Sequence, residues 1–364
     1  MEVKEGYKNT EVGLIPEDWS LEPIKDFASI TTGGSDTQDK IDDGAYPFYV
    51  RSRNIERINK YSYDGEAILT SGDGVGVGKI FHYVNGKFDF HQRVYNIYNY
   101  RYNVDGKYLF FQFSTNFYNR VMSMTAKSSV DSVRREMITD MKIPLPPLPE
   151  QKAIAEVLSD TDDLIQALEK QIAKKRSIKQ GVMQELLTPK EGWSRKRLGD
   201  VLKIRHGRSQ KGIEDRNGKF PILGTGGVLG FTNEYIYDNP SVLIGRKGTI
   251  DKPQFIQTPF WTVDTLFYTE INSGNHTKFI YYTFSQIKWN AYNEASGVPS
   301  LNAKTIENIE KGFPSFIEQI RIADILSEMD NEISLLEGKL LKLVSLKQGL
   351  MQNLLTGKIR LLKS

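Results

Sequence analysis

The chain has 364 residues, 39% hydrophobic and 26% charged, and a formal net charge of +3, which describes about two ordinary globular domains and excludes wholesale disorder. The absence of cysteine excludes disulfides, thiolate metal sites and a cysteine nucleophile, and it fits a reducing, cytoplasmic location. No run approaches the roughly 18 apolar residues of a membrane span, and the MEVKEGYKNTEVG start lacks the apolar core of a signal peptide, so no membrane partner is expected.

Residues 1–145 read as a first mixed domain. Short β-rich runs at 67–70, 79–84 and 94–98 are separated by Gly, Asn and Asp clusters, and an aromatic, helix-like stretch follows at 107–113. Residues 146–190 read as a first long helix, introduced by Pro144, Pro146, Pro147 and Pro149 and stopped at Thr188-Pro189. Residues 191–313 repeat the plan, with β-rich runs at 242–244 and 266–269 and an aromatic stretch at 278–284. Residues 314–364 carry a second long helix, from Pro314 to a stop at Thr356-Gly357. The expected fold is α+β: two pseudo-symmetric mixed α/β domains separated by two long helices that pair as an antiparallel coiled coil.

The helices are the strongest local signal. Leu326, Met329, Ile333, Leu336, Leu340 and Leu343 recur at alternating spacings of three and four, the seam of a coiled coil. The first helix places Leu158, Thr161, Ile165, Leu168, Ile172 and Lys175 at the matching positions. About 38 residues of helix span roughly 55 Å. Two such stripes in one chain most simply pair with each other; the plainer alternative is that each packs on its own domain.

These helices also carry the clearest internal repeat. Residues 150–190 align with 318–358 without a gap, with 21 of 41 positions identical. The repeat extends into the domains at a slightly larger offset, where Trp19-Ser20 and Gly33 answer Trp193-Ser194 and Gly207. Such repetition implies a pseudo-twofold molecule, and hence a target or partner with two halves.

Catalytic signatures are missing. The glycine-rich run from Gly72 to Lys79 fits neither GxGxxG nor GxxxxGK[ST], and it reads as a tight loop. Asn239-Pro240 is followed by Ser241-Val242, without the aromatic of an amino-methyltransferase motif. The four histidines have no ligand spacing, so no metal and no cofactor is expected on this chain. What remains is polar, basic loop chemistry. The first domain offers Arg51, Arg53, Asn54, Ser71, Lys79, Gln92, Arg93, Lys127 and Ser128. The second offers Arg205, Arg208, Lys211, Thr225, Arg246, Lys247, Trp261, Thr262, Ser296 and Ser300. Arg, Lys, Gln and Asn can read base edges, and Ser and Thr can hold phosphates, a chemistry that suits double-stranded DNA as a partner. A solvated surface carries the same residue types, and a coiled-coil scaffold that binds proteins, with incidental DNA contact, is the competing reading.

The PLPPLPEQKAIAEVL and FPSFIEQIRIADIL lead-ins to the helices, and their Lys-Gln-Gly-Val/Leu-Met-Gln-x-Leu-Leu-Thr exits, resemble the specificity subunit of type I restriction–modification enzymes. Residues 220–268 are similar to one style of target-recognition domain in that family, and the resemblance covers essentially the whole chain. The second lead-in departs from the pattern with Ser315-Phe316 in place of Pro-Leu, and the first recognition domain is the more divergent. The resemblance implies a non-catalytic subunit that reads a bipartite, asymmetric DNA site with one recognition domain per half, the helices setting the gap. It implies as partners two methyltransferase (modification) subunits, which would bind S-adenosylmethionine, and restriction subunits, which would use ATP and Mg.

Overall fold

The computed structural model describes residues 5–124 and 132–361. The chain divides into two compact units, Met1–Ala167 with Leu340–Ser364, and Leu168–Lys339.

In the first unit one six-stranded sheet runs in the order Ser29–Thr32, Val94–Tyr98, Tyr63–Ser71, Phe81–Phe90, Tyr46–Tyr49, Ile55–Ile58. Neighbours are antiparallel, except that Tyr46–Tyr49 lies parallel to Phe81–Phe90 through Phe48–Asp89 and Tyr49–Phe90. Successive strand side chains point to opposite faces. Ile68 therefore joins Ile30, Ile97 and the Gly106–Ser123 helix in the main core, while Ala67 and Leu69 join Phe88, Phe90 and Val94 in a second one. Burial of both faces is why the strand is apolar without alternation. The helix buries Leu109, Phe113, Phe117 and Val121, four residues apart, and Asp105 caps it by accepting from the Tyr108 N–H at 2.9 Å. The strand expected from residue 79 starts only at Phe81, because residues 74–80 form tight turns, with Val77 N–H donating to Gly74 O and Lys79 N–H to Gly76 O.

The second unit uses the same logic with fewer strands per sheet. Leu202–His206, Leu266–Ile271, Ser241–Gly245 and Gln254–Ile256 form a four-stranded antiparallel sheet. Gly227–Thr232, Phe220–Gly224 and Trp261–Thr262 form a three-stranded one. Val242 and Ile244 pack with Phe279 and Phe284 of the Thr277–Ser285 helix, whereas Leu243 packs oppositely with Phe260 and Leu266.

The long helices are Leu148–Leu187 and Phe316–Leu354, 40 and 39 residues, each about 60 Å long at 1.5 Å per residue. Each unit contains part of both, and within each unit the parts pack antiparallel. In the first unit Ile154, Ala155 and Leu158 share a core with Leu350, Met351 and Leu354. In the second, Val182, Met183 and Leu186 share one with Ile322, Ala323 and Leu326. Of the seam residues, Leu158, Ile172, Leu326 and Ile333 are buried. Ile165, Leu168, Leu336, Leu340 and Leu343 are half-buried. The ion pairs repeat as well: Lys347 with Asp162 in the first unit, Lys179 with Asp330 in the second, each lysine also lying over an aromatic ring, Phe111 or Tyr282.

Each long helix is anchored by a buried glutamine. Gln151 Nε2 donates to Pro146 O at 2.8 Å, and its Oε1 accepts from the N–H of Asp105, the residue that caps the preceding helix, at 2.9 Å. Gln319 repeats this, donating to Pro314 O at 3.1 Å and accepting from His276 N–H at 2.9 Å. These bonds give the Glu-Gln lead-in a physical role. In the first unit alone, the adjoining Glu150, 1% exposed, is bound by Arg360 Nε and Nη2 at 2.7 Å each.

Two stability outcomes follow from these contacts. Gln319→Ala leaves the His276 N–H without its acceptor and should cost about 1–3 kcal/mol in urea unfolding. Arg360→Ala leaves the Glu150 carboxylate buried without its cation and should cost about 3–5 kcal/mol, read as a lower midpoint in the same experiment.

Candidate nucleic-acid interface

In the first unit four segments are tied together by backbone bonds: His91 N–H to Tyr49 O at 2.9 Å, Gly72 N–H to Arg93 O at 2.8 Å and Val133 N–H to Gly72 O at 2.7 Å. The Gly33 contact allows a fifth to approach, since a Cβ there would lie 1.8 Å from Phe90 O. On this frame Asp73 receives Arg51 Nη1 at 2.8 Å and Arg93 Nη1 at 2.5 Å on separate carboxylate oxygens. Gln92 Nε2 donates to Asp36 at 2.8 Å. His91 accepts the Arg93 N–H on Nδ1, which leaves Nε2 facing Asp36 at 3.6 Å. Burial, and after it the charge of Arg51, lower the His91 pKa against the opposing pull of Asp36.

Arg51, Gln92 and Arg93 are thus brought together and exposed, with Arg53 and Asn54 exposed in the same loop as Arg51. Lys79 is exposed over the Tyr118 ring. Ser71 is a correction: it is 1% exposed and its hydroxyl donates to Asp73 O at 2.8 Å, so it shapes the loop and offers DNA no surface. Lys127 and Ser128 lie outside the described residues.

The second unit builds the equivalent loop with different side chains. Arg246 N–H donates to Thr265 O at 2.8 Å and Leu301 N–H to Arg246 O at 2.9 Å, matching the bonds of Gly72. The isolated bridge of Asp73 with Ser132 has its counterpart in Lys247 with Ser300. Arg246, Lys247 and Ser300 line one shallow depression together with His206 and Glu294. Thr225 lies near Gly248, in the turn of a hairpin whose Val228 and Leu229 are 58% and 60% exposed. Arg208 and Lys211 are exposed, as is Ser296, while Arg205 is engaged by Glu270 at 2.9 Å. Trp261 and Thr262 are corrections. Trp261 is buried with its indole N–H on Arg208 O at 3.0 Å, and Thr262 is 0% exposed, so both support the 208 loop from beneath. Gly207 makes that loop possible, since a Cβ would meet Val263 O at 2.0 Å.

Asp73, Asp36 and the exposed Val228 and Leu229 escape a reading of the sequence. The acids are short isolated residues among glycines and threonines, and only the fold shows which cations they meet. Among the described residues no group of three His, Cys, Asp or Glu side chains could hold a metal ion, and no helix is long and apolar enough to cross a membrane.

Two units on one plan each offer a loop cluster of exposed basic and hydroxyl side chains. The family model of the type I restriction modification DNA specificity domain matches residues 16–176 and 190–345. The chain belongs to that family, whose members recognise DNA sequence for type I restriction–modification systems and are not themselves catalytic. It is 28% identical to the MjaX specificity subunit assigned to a type I restriction enzyme of Methanocaldococcus jannaschii, over 98% of this chain and 97% of the relative. It is 25% identical to the MjaVIII specificity subunit of the same organism, over 98% and 96%. The fold is that of a type I S subunit from M. genitalium, with a TM-score of 0.72 at 17% identity over 97% and 98% of the two chains.

Burial raises the Asp73 carboxyl, but hydrogen bonds from Arg93 and Arg51 outweigh it and hold its pKa below the ordinary 3.8. A depressed folded-state pKa gives stability that is complete above the unfolded value and lost as pH falls through the folded value. The stability difference between wild type and Asp73→Asn should therefore be constant above about pH 5 and shrink as pH falls below about 4, as measured by thermal unfolding across the acid range.

Proposed function

We propose that each unit reads one half of a split, asymmetric DNA site, and that the paired long helices set the length of the unread gap. The observation that carries this reading is the repeated loop frame with unlike side chains: Gly72-Asp73 beside Arg51 and Arg93 in one copy, Arg246-Lys247 beside Thr225 and Thr265 in the other. One frame with two chemistries suits two half-sites of different sequence. Bidentate Arg and Lys contacts to guanine supply base reading, and the exposed basic and hydroxyl groups around them supply phosphate contacts. Domain boundaries at residues 145, 190 and 313 separate the recognition and spacer roles in this reading.

The long helices also expose Leu164, Leu335, Leu341 and Leu346. Apolar side chains in that setting suit the docking of two modification subunits, one per pseudo-symmetric half. Those subunits would supply S-adenosylmethionine and the methyl transfer to adenine, and restriction subunits would bring ATP and Mg. In this reading the chain itself holds no cofactor.

The test is co-expression with a type I methyltransferase subunit followed by genome-wide mapping of methylated adenine. The expected result is a single bipartite motif with a fixed gap; no new methylation from a well-formed complex would instead favour a protein-binding scaffold. Inserting seven residues into each long helix lengthens it by about 10 Å, so the gap should grow by about three base pairs with both half-sites unchanged. An insertion variant that still methylates only the original spacing would overturn the spacer role.

A further inference from the structure

We propose that Asp73 is a specificity-determining residue of the first unit: its carboxylate fixes Arg51 and Arg93 for reading bases and holds DNA phosphates off them. The inference rests on the reading that these loops face DNA.

Three observations carry it. The first is geometry. One carboxylate, its side chain 15% exposed, takes a terminal nitrogen from each of two arginines that are 42% and 61% exposed. The cations arrive from separate loops, after the Tyr46–Tyr49 strand and before the Val94–Tyr98 strand. A guanidinium has five N–H donors, so a bond through one Nη1 leaves most of the fork for an incoming acceptor such as the O6 and N7 of guanine. Holding the fork in advance spares the ordering of a long side chain at the moment of binding.

The second is charge. Two cations around one anion form a cluster of net +1, with the negative charge between them. A phosphate approaching the arginines meets that carboxylate at close range, whereas a neutral base edge does not meet the same repulsion. The carboxylate therefore weakens attraction to any DNA backbone more than it weakens contact with the right base.

The third is the repeat. In the second unit the same backbone position carries Lys247, with Thr225 and Thr265 at the positions of Arg51 and Arg93. The backbone bonds and the bridge to residue 300 are made all the same. The loop frame therefore does not need an acid at this point, and the acid is tied to the two arginines.

The experiment uses the complex with its methyltransferase subunit, read by methylated-adenine mapping and by binding to the mapped duplex and to a scrambled one. Asp73→Asn should make one half-site degenerate at one or two positions and leave the other half intact. It should also lower the ratio of mapped to scrambled affinity by roughly tenfold, mostly through tighter binding of the scrambled duplex. In an Arg51→Gln/Arg93→Gln background the further change Asp73→Asn should alter neither quantity. If Asp73→Asn fails to fold, Asp73→Glu, which shifts the charge by one methylene, should loosen the same half-site. An unchanged motif and affinity ratio, or an equal effect in the arginine-free background, would overturn the inference. A wild-type complex that yields no motif at all would instead sink the recognition reading on which it rests.

Discussion

A side-chain amide removed from water has to be given hydrogen-bond partners, or it destabilises the fold that buries it. Gln151 and Gln319 meet that demand where a prolyl-segment carbonyl and the N–H at the start of each domain's aromatic helix converge, with Asn103 O as a further acceptor for Gln151. The first turn of each long helix is thereby fixed to its domain. Within the first unit the Lys347–Asp162 pair, and within the second the Lys179–Asp330 pair, then hold the facing stretches of the two helices together.

The helices were the most legible part of the sequence, since a three-four spacing of leucines means the same thing in nearly any context. Their ends fell where proline and glycine placed them. The short strands were legible as apolar runs, yet their partners were not: Tyr46–Tyr49 runs parallel to a strand more than thirty residues away, and nothing local encodes that choice. The candidate loop residues were legible as a set and less so one by one. Ser71 and Thr262 have the chemistry of phosphate binders and the burial of core residues. Exposure is decided by the strand on either side, not by the hydroxyl. Asp73 was hidden for the opposite reason, because its meaning comes from arginines 22 and 20 residues away.

The two units show how a fold separates what must be kept from what can change. Backbone hydrogen bonds and close glycine contacts define the loop frame, and they ask little of the side chains that point outward. The frame at residues 72–73 and 246–247 accepts Gly-Asp in one copy and Arg-Lys in the other, a reversal of charge at one backbone position. Local electrostatics can therefore be rewritten without repacking either core. The net charge of +3 conceals this, because it averages an acid-centred cluster with a base-centred one.

The division of the chain also bears on how the protein is made. The second unit is one uninterrupted stretch, Leu168–Lys339, whereas the first joins Met1–Ala167 to Leu340–Ser364. On the ribosome the first unit has to wait for Leu350, Leu354, Leu355 and Arg360, which fill its core and neutralise Glu150, until the second unit has emerged. At 5–20 residues per second that interval is roughly ten to forty seconds. The unit translated first is thus the one completed last, and through that interval the buried carboxylate and the unfilled apolar surface of the nascent first unit stand open to water.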